Sequence, residues 1–191
     1  MSGATGKHIQ LKFVMLGVFC LKWENRHFHL PLCGPTLEGL AYLAFNANRQ
    51  VRKEKIAAML WPDRAERSSR GLLSTALWRI RGCLKPIEGV AVKTEAGCIS
   101  LNLSHRPFVD AVELERAVVT AVAATQTANG FHLPVREREA LLCITGTGDG
   151  EFLEGMTADW ILAERERILN LQVRALILLM NDLSERGLFE E

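Results

Sequence analysis

The sequence contains little that a membrane, an oxidising compartment or a catalytic mechanism requires. Its most apolar helical stretch, Leu171 to Met180, is interrupted by Arg174 and falls well short of the ~20 residues that span a bilayer. The N-terminal MSGATGKH lacks the apolar core of a secretory signal. Five cysteines (Cys20, Cys33, Cys83, Cys98 and Cys143) are odd in number, widely spaced and without a Cys-x-x-Cys pair, so buried free thiols in a reducing cytoplasm are expected. Aromatic residues make up only 7%. No Ser/His/Asp or Cys/His grouping has a recognisable spacing, and no carboxylate pair stands out as an acid/base couple; an enzyme is not expected, nor a cofactor. His27-Phe28-His29 puts two imidazoles on one strand face, but no third ligand accompanies them, so no metal is expected. Gly146-Thr-Gly-Asp-Gly150 is followed by no Gly-Lys-Ser/Thr and carries Asp149 and Glu151, which repel anions; it reads as an interhelix turn.

What is present is a globular composition, 48% hydrophobic and 24% charged, with a net charge of only +1. That small number conceals a split. Residues 1–104 carry 15 basic against 7 acidic side chains, a balance of +8, whereas residues 105–191 carry 8 against 15, a balance of −7. A basic first half and an acidic second half imply different partners for each.

Along the chain, Ile9 to Leu32 is rich in β-formers with turn signals at Gly17 and at Glu24 to Arg26, predicting two or three short antiparallel strands. Pro35 and Thr36 open a helical stretch, LEGLAYLAFNAN. A second helix, RKEKIAAMLW, is stopped at Trp61-Pro62, because a residue before proline is pushed out of the α region. Trp61 is expected to pack at this junction against Leu40 or Leu43. After Pro86, two β-prone runs joined by Thr94-Glu95-Ala96-Gly97 predict a hairpin over 90–103. Strands, three helices and a hairpin describe a winged helix-turn-helix over 1–104. Beyond His105-Arg106-Pro107 the β signal vanishes, and helices are predicted over 110–125, 134–144 and about 157–186, as in an all-α helical-repeat domain over 105–191. The fold class is therefore α+β. On the last helix, Trp160, Ile161, Ile168, Leu171, Ala175 and Leu178 form a core stripe, and Glu164-Arg-Glu-Arg167 reads as a solvated face.

The third helix, within Trp61 to Lys85, combines an apolar stripe with a basic, hydroxyl-rich opposite face. Leu73, Leu77, Ile80 and Leu84 fall on one line at helical spacing. Arg67, Ser68, Ser74, Thr75, Trp78 and Arg79 point away from it, with Arg70 and Arg81 flanking. Guanidinium and hydroxyl groups on a face free of the core suit phosphates and base edges. The alternative is an ordinary solvated surface helix.

Leu16-Gly-Val-Phe, LAYLAFNANRQVRKEKIAAMLWPD and LLSTALWRIRGCL resemble the winged-helix half of the Streptomyces antibiotic regulatory protein family. GDGEFLEGM, DWILAERERI and LSERGLFEE resemble its bacterial transcriptional activator domain. The resemblance covers nearly the whole chain and implies a cytoplasmic transcription regulator that binds double-stranded DNA. It further implies tetratricopeptide-like helices that serve dimerisation and contact with RNA polymerase subunits, and a recognition helix bearing Arg79 and Arg81. The DNA-binding set is then Arg67, Arg70, Ser74, Thr75, Trp78, Arg79, Arg81 and Lys85, with Lys93 in the hairpin. The outer face carrying Arg165 and Arg167 is expected to pair subunits. Three features depart from the family pattern. Arg52 stands where a serine or threonine cap is usual, residues 35–38 carry no base, and Lys93 is the hairpin's single base. Fewer phosphate contacts are expected there. A further helical repeat is expected to begin at 188–191. The alternative function is a protein-interaction scaffold whose winged helix no longer binds DNA.

Overall fold

The computed structural model describes residues 11–24, 26–127, 132–146 and 150–187; the Gly146–Gly150 turn and the start of a further repeat at 188–191 lie wholly or partly outside them. Among these described residues, six helices and two small sheets make a mixed α+β fold. Strands β1 (Leu11–Val14), β2 (Cys20–Trp23) and β3 (Arg26–Phe28) form an antiparallel meander, with Phe13 opposite Leu21. Helix α1 (Gly34–Phe45) follows, with Pro35 in its first turn, where a missing N–H costs nothing. Next come strand β4 (Val51–Arg52) and helix α2 (Lys53–Leu60). The latter ends at Trp61, which is half-buried against the core. Arg52 makes no side-chain cap.

Helix α3 (Glu66–Leu84) buries Leu73, Leu77, Ile80 and Leu84, the stripe expected from spacing, together with Ser69 and Ala76. The hairpin of β5 (Val90–Glu95) and β6 (Cys98–Leu103) turns through Ala96 and Gly97, both at positive φ (47° and 78°). Two such residues give the turn whose twist matches paired strands. Strand β4 adds to β6, Val51 facing Ile99, and the Lys53 N–H donates to the Gly97 carbonyl at 2.9 Å. This short strand ties the hairpin tip to the start of α2; two residues are too few to show alternation in the sequence.

After Pro107 the β signal does not vanish. Strand β7 (Phe108–Val109) pairs parallel to β1, completing a sheet of order β3-β2-β1-β7. The remaining helices are α4 (Asp110–Thr127), α5 (Val135–Thr145) and α6 (Asp159–Glu185). Between the last two, Leu16 and Phe152 form an isolated β-bridge, reinforced by Gly17 N–H to Glu151 O at 2.9 Å and Leu153 N–H to Met15 O at 2.7 Å. Gly150 and Gly17 approach so closely that a Cβ on Gly150 would lie 2.6 Å from Gly17 Cα. The buried Asp110 carboxylate accepts the N–H groups of Met15 and Leu16 at 2.8–3.0 Å, and that of Ala111 at 2.8 Å. Tyr42 meets Trp160 edge-on (5.0 Å between centroids), and Phe45 packs against Phe152 (5.5 Å). Residues before and after position 104 thus contribute to one continuous core.

Two further expectations are corrected. The cysteines are not buried: Cys33 and Cys143 are exposed, and Cys20, Cys83 and Cys98 are half-buried, all with free thiols. Apolar neighbours in sequence do not turn a side chain inward when the helix or strand face points out. Arg165 and Arg167 are not an open pairing surface. Arg165, 17% exposed, fans onto the carbonyls of Phe152, Leu153 and Met156 at 2.7–2.9 Å, and Arg167 pairs with Glu164 on its own helix and with Glu115 on α4.

Candidate nucleic-acid interface

Helix α3 is amphipathic because its leucine and isoleucine line matches the α-helical repeat. Burying that line against α1 and α2 forces the intervening residues outward. Arg67, Arg70, Ser74, Thr75, Trp78, Arg79 and Lys85 are all exposed, and the Trp78 ring is 74% exposed. The structure brings them together on one rod about 28 Å long, at 1.5 Å per residue over 19 residues.

Their chemistry differs in ways the sequence did not disclose. Arg67 and Arg79 have no hydrogen bond or ion pair among the described residues, so both guanidinium forks are available. Arg70 pairs with Glu66 one turn earlier, both side chains largely exposed; such a pair is weak and can be exchanged for a phosphate. The hydroxyls of Ser74 and Thr75 donate to the carbonyls of Arg70 (3.0 Å) and Gly71 (3.3 Å) on their own helix. Their outward lone pairs remain free to accept from a base amino group.

Arg81 behaves unlike its neighbours. Its Nε donates to the Val92 carbonyl at 3.0 Å and its terminal nitrogen to Thr94 Oγ1 at 2.6 Å, both on β5. This places Arg81 as the strut that fixes the hairpin against α3. Lys93, between these two acceptors, points to the exposed side of β5, since Val92 beside it is buried. A groove of about 460 Å³ runs between α3, the start of α2 and the hairpin, lined by Lys53, Arg70, Ser74, Arg81 and Thr94. Lys53 was missed from sequence. The available signal was its place at the first turn of α2, where the positive end of the helix dipole adds to the charge of a base, although Glu54 beside it lines the same groove.

Two glycines complete the face. Gly71 and Gly82 lie inside α3, and a Cβ on either would meet nothing within 4 Å. Each lowers helix stability by about 1 kcal/mol relative to alanine, and packing within the molecule does not account for either.

Among the described residues no three His, Cys, Asp or Glu side chains group as metal ligands, and His27 and His29 are exposed. No helix among those residues is long and apolar enough to cross a membrane.

No family model matches the chain, and no curated protein matches it. Among solved structures, the fold is similar to that of Mycobacterium tuberculosis EmbR in complex with a low affinity phosphopeptide. The TM-score is 0.71 at 17% identity, over 94% of this chain and 47% of that one. At that identity the likeness concerns the fold, and the present chain spans about half the length of EmbR.

Proposed function

We propose that this chain is a transcription regulator of the Streptomyces antibiotic regulatory protein type. In this reading residues 1–104 are a winged helix-turn-helix whose α3 enters the major groove, and the β5–β6 hairpin lies near the adjacent minor groove. Residues 105–191 are a tetratricopeptide-like domain that pairs two copies on DNA and contacts RNA polymerase subunits. The observation that carries the reading is the outward face of α3: Arg67, Thr75, Trp78 and Arg79 stand exposed on a helix whose opposite side is fully packed. A major groove admits one helix, and arginine reads guanine O6 and N7 bidentately. Arg70, Lys53 and Lys85 flank that line at positions suited to phosphates, Lys93 reaches from the hairpin, and Trp78 offers an apolar face to a thymine methyl or a sugar.

The EmbR-like fold and the sequence resemblance support the class of protein. The test is a gel-shift and footprinting series on genomic fragments at several salt concentrations. A protected site whose affinity falls with salt supports the reading. A scaffold reading is favoured by one feature, the exposed apolar pair Leu72 and Trp78 on α3, and it predicts no footprint on any fragment.

A further inference from the structure

A cavity of about 570 Å³ opens between the winged-helix half and the helical half, larger than the groove beside α3. The end of α1 and the turn after it form one wall; α4 and the first half of α6 form the other. Its apolar lining, Ala44, Phe45, Val109 and Val112, belongs to the core or packs against it. Its mouth is polar and carries charges of both signs. Such a volume, an apolar wall and a few convergent polar groups at a junction between structural units are what small-molecule sites have in common. The outer side of α6 takes no part, since Arg167 reaches the cavity from the side that pairs with Glu115 on α4.

The charges at the mouth are matched, with one exception. Arg106 and Arg116 both pair with Glu113, and Arg167 pairs with Glu164 and Glu115 at 2.6 and 2.9 Å. These carboxylates therefore have their guanidinium partners before Arg49 is counted. Arg49, exposed on the turn after α1, makes no side-chain hydrogen bond or ion pair among the described residues. The turn that carries it is fixed. Asn48 sits at a φ of +61°, a left-handed conformation that asparagine tolerates better than most residues. Its N–H donates to the Leu101 carbonyl and its side-chain oxygen accepts from the Leu103 N–H, both at 2.9 Å. That leaves the Asn48 Nδ2 as a donor without a partner among the described residues. An unmatched guanidinium next to a free amide donor, on a preorganised turn beside an apolar wall, suits a carboxylate.

We propose that this cavity binds a small organic carboxylate, its apolar body against Phe45 and Val112 and its charged end on Arg49 and the Asn48 amide. The bound molecule joins the turn after α1 to α4 and α6 and, through Asn48, touches a turn anchored on strand β6 of the hairpin. The proposal goes beyond the function proposed above and does not depend on DNA binding. The experiment is a titration of the full 191-residue chain, labelled with nitrogen-15 and observed by NMR, with 3-phenylpropionate and separately with its uncharged amide, each into the tens of millimolar. The variants are Arg49→Gln, Ala47→Phe, which fills the cavity from its lining, and Arg64→Gln, which removes an exposed base that does not line it. The expected result is saturable shifts within 44–49, 106–115 and 164–167, with the amide bound at least tenfold more weakly than the acid. Arg49→Gln is expected to weaken the acid at least fivefold and to narrow its advantage over the amide; Arg64→Gln is expected to bind as wild type does. Ala47→Phe is expected to lose binding of both probes, and should it fail to fold, Arg49→Gln, on an exposed side chain, decides the matter. Absence of saturable shifts, shifts confined to the groove beside α3, equal binding of acid and amide, or an Arg49→Gln that binds as wild type does would each overturn the proposal.

Discussion

The Arg81 guanidinium donates through Nε to the carbonyl of Val92, 3.0 Å away, and through a second nitrogen to Thr94. One side chain therefore sets the angle between α3 and the hairpin. Arg79, two residues earlier, points outward with no such partner among the described residues. Two arginines of one short motif thus have separate duties.

Arg79→Ala is expected to weaken binding to a preferred DNA site by about 1–3 kcal/mol and to relax discrimination at the base it reads. Its melting temperature is expected to match wild type. Quantitative gel shifts on the footprinted site and its single-base variants, alongside thermal unfolding, check this; unchanged affinity would remove Arg79 from the readout.

Arg81→Ala has the opposite signature. Losing two bonds from a charged donor is expected to lower stability by about 1–2 kcal/mol, discounted for partial exposure. Arg81→Lys is expected not to restore it, because an ammonium cannot reproduce the fork onto Val92 and Thr94. Urea unfolding of both variants measures the effect, and a fully stable Arg81→Lys would contradict the strut.

Gly71→Ala and Gly82→Ala separate stability from binding. Each is expected to stabilise the helix by about 1 kcal/mol, since the added methyl meets nothing in the molecule. Each is expected to weaken DNA binding where the helix backbone approaches the duplex closely. Thermal unfolding and DNA titration of the same samples test this. Equal or tighter binding by both variants would show that neither glycine lies in the contact.

Gly150→Ala is expected to destabilise the fold by about 1–3 kcal/mol, as overpacking does. Its Cβ would sit 2.6 Å from the Gly17 backbone, and backbone cannot swing aside as a long side chain can. Gly155→Ala has open space in contrast but a φ of +81°, so its cost is confined to backbone strain. Denaturation midpoints of the two distinguish a clash from a strained dihedral.

The pH dependence of stability has two buried carboxylates of opposite sign. Burial pushes Asp182 up, but the hydrogen bonds from Arg186 and Leu133 and the Arg186 charge outweigh it and hold its carboxyl below the ordinary 3.8. A depressed acid stabilises the fold above the unfolded pKa and loses that contribution as pH falls through the folded value. Burial pushes Asp110 above 3.8 despite the N–H groups of Leu16, Met15 and Ala111. Its contribution is complete below the unfolded pKa and declines as pH rises through the raised value. Asp182→Asn is expected to flatten the loss of stability on acidification below about pH 4. Urea midpoints of wild type and variant between strongly acidic and neutral pH check this, and an unchanged acid limb would contradict the assignment.

The sequence by itself determined the local elements: a residue's helical or strand preference and the spacing of apolar side chains are properties of the chain alone. The stripe Leu73, Leu77, Ile80 and Leu84, the stop at Trp61-Pro62 and the turn at Ala96-Gly97 were legible for that reason. Tertiary structure decided whatever depends on partners distant in sequence. The pair Val51–Arg52 became a strand through Ile99 and Cys98, and Phe108–Val109 became one through Lys12 and Phe13. Arg165, an outer-face base in the sequence reading, turned inward because the carbonyls of Phe152, Leu153 and Met156 converge within reach of its guanidinium. Arg81 was diverted from the helix face by acceptors on β5 in the same way. A periodic pattern states which face of a helix is apolar; only the fold states which polar groups lie a hydrogen bond away.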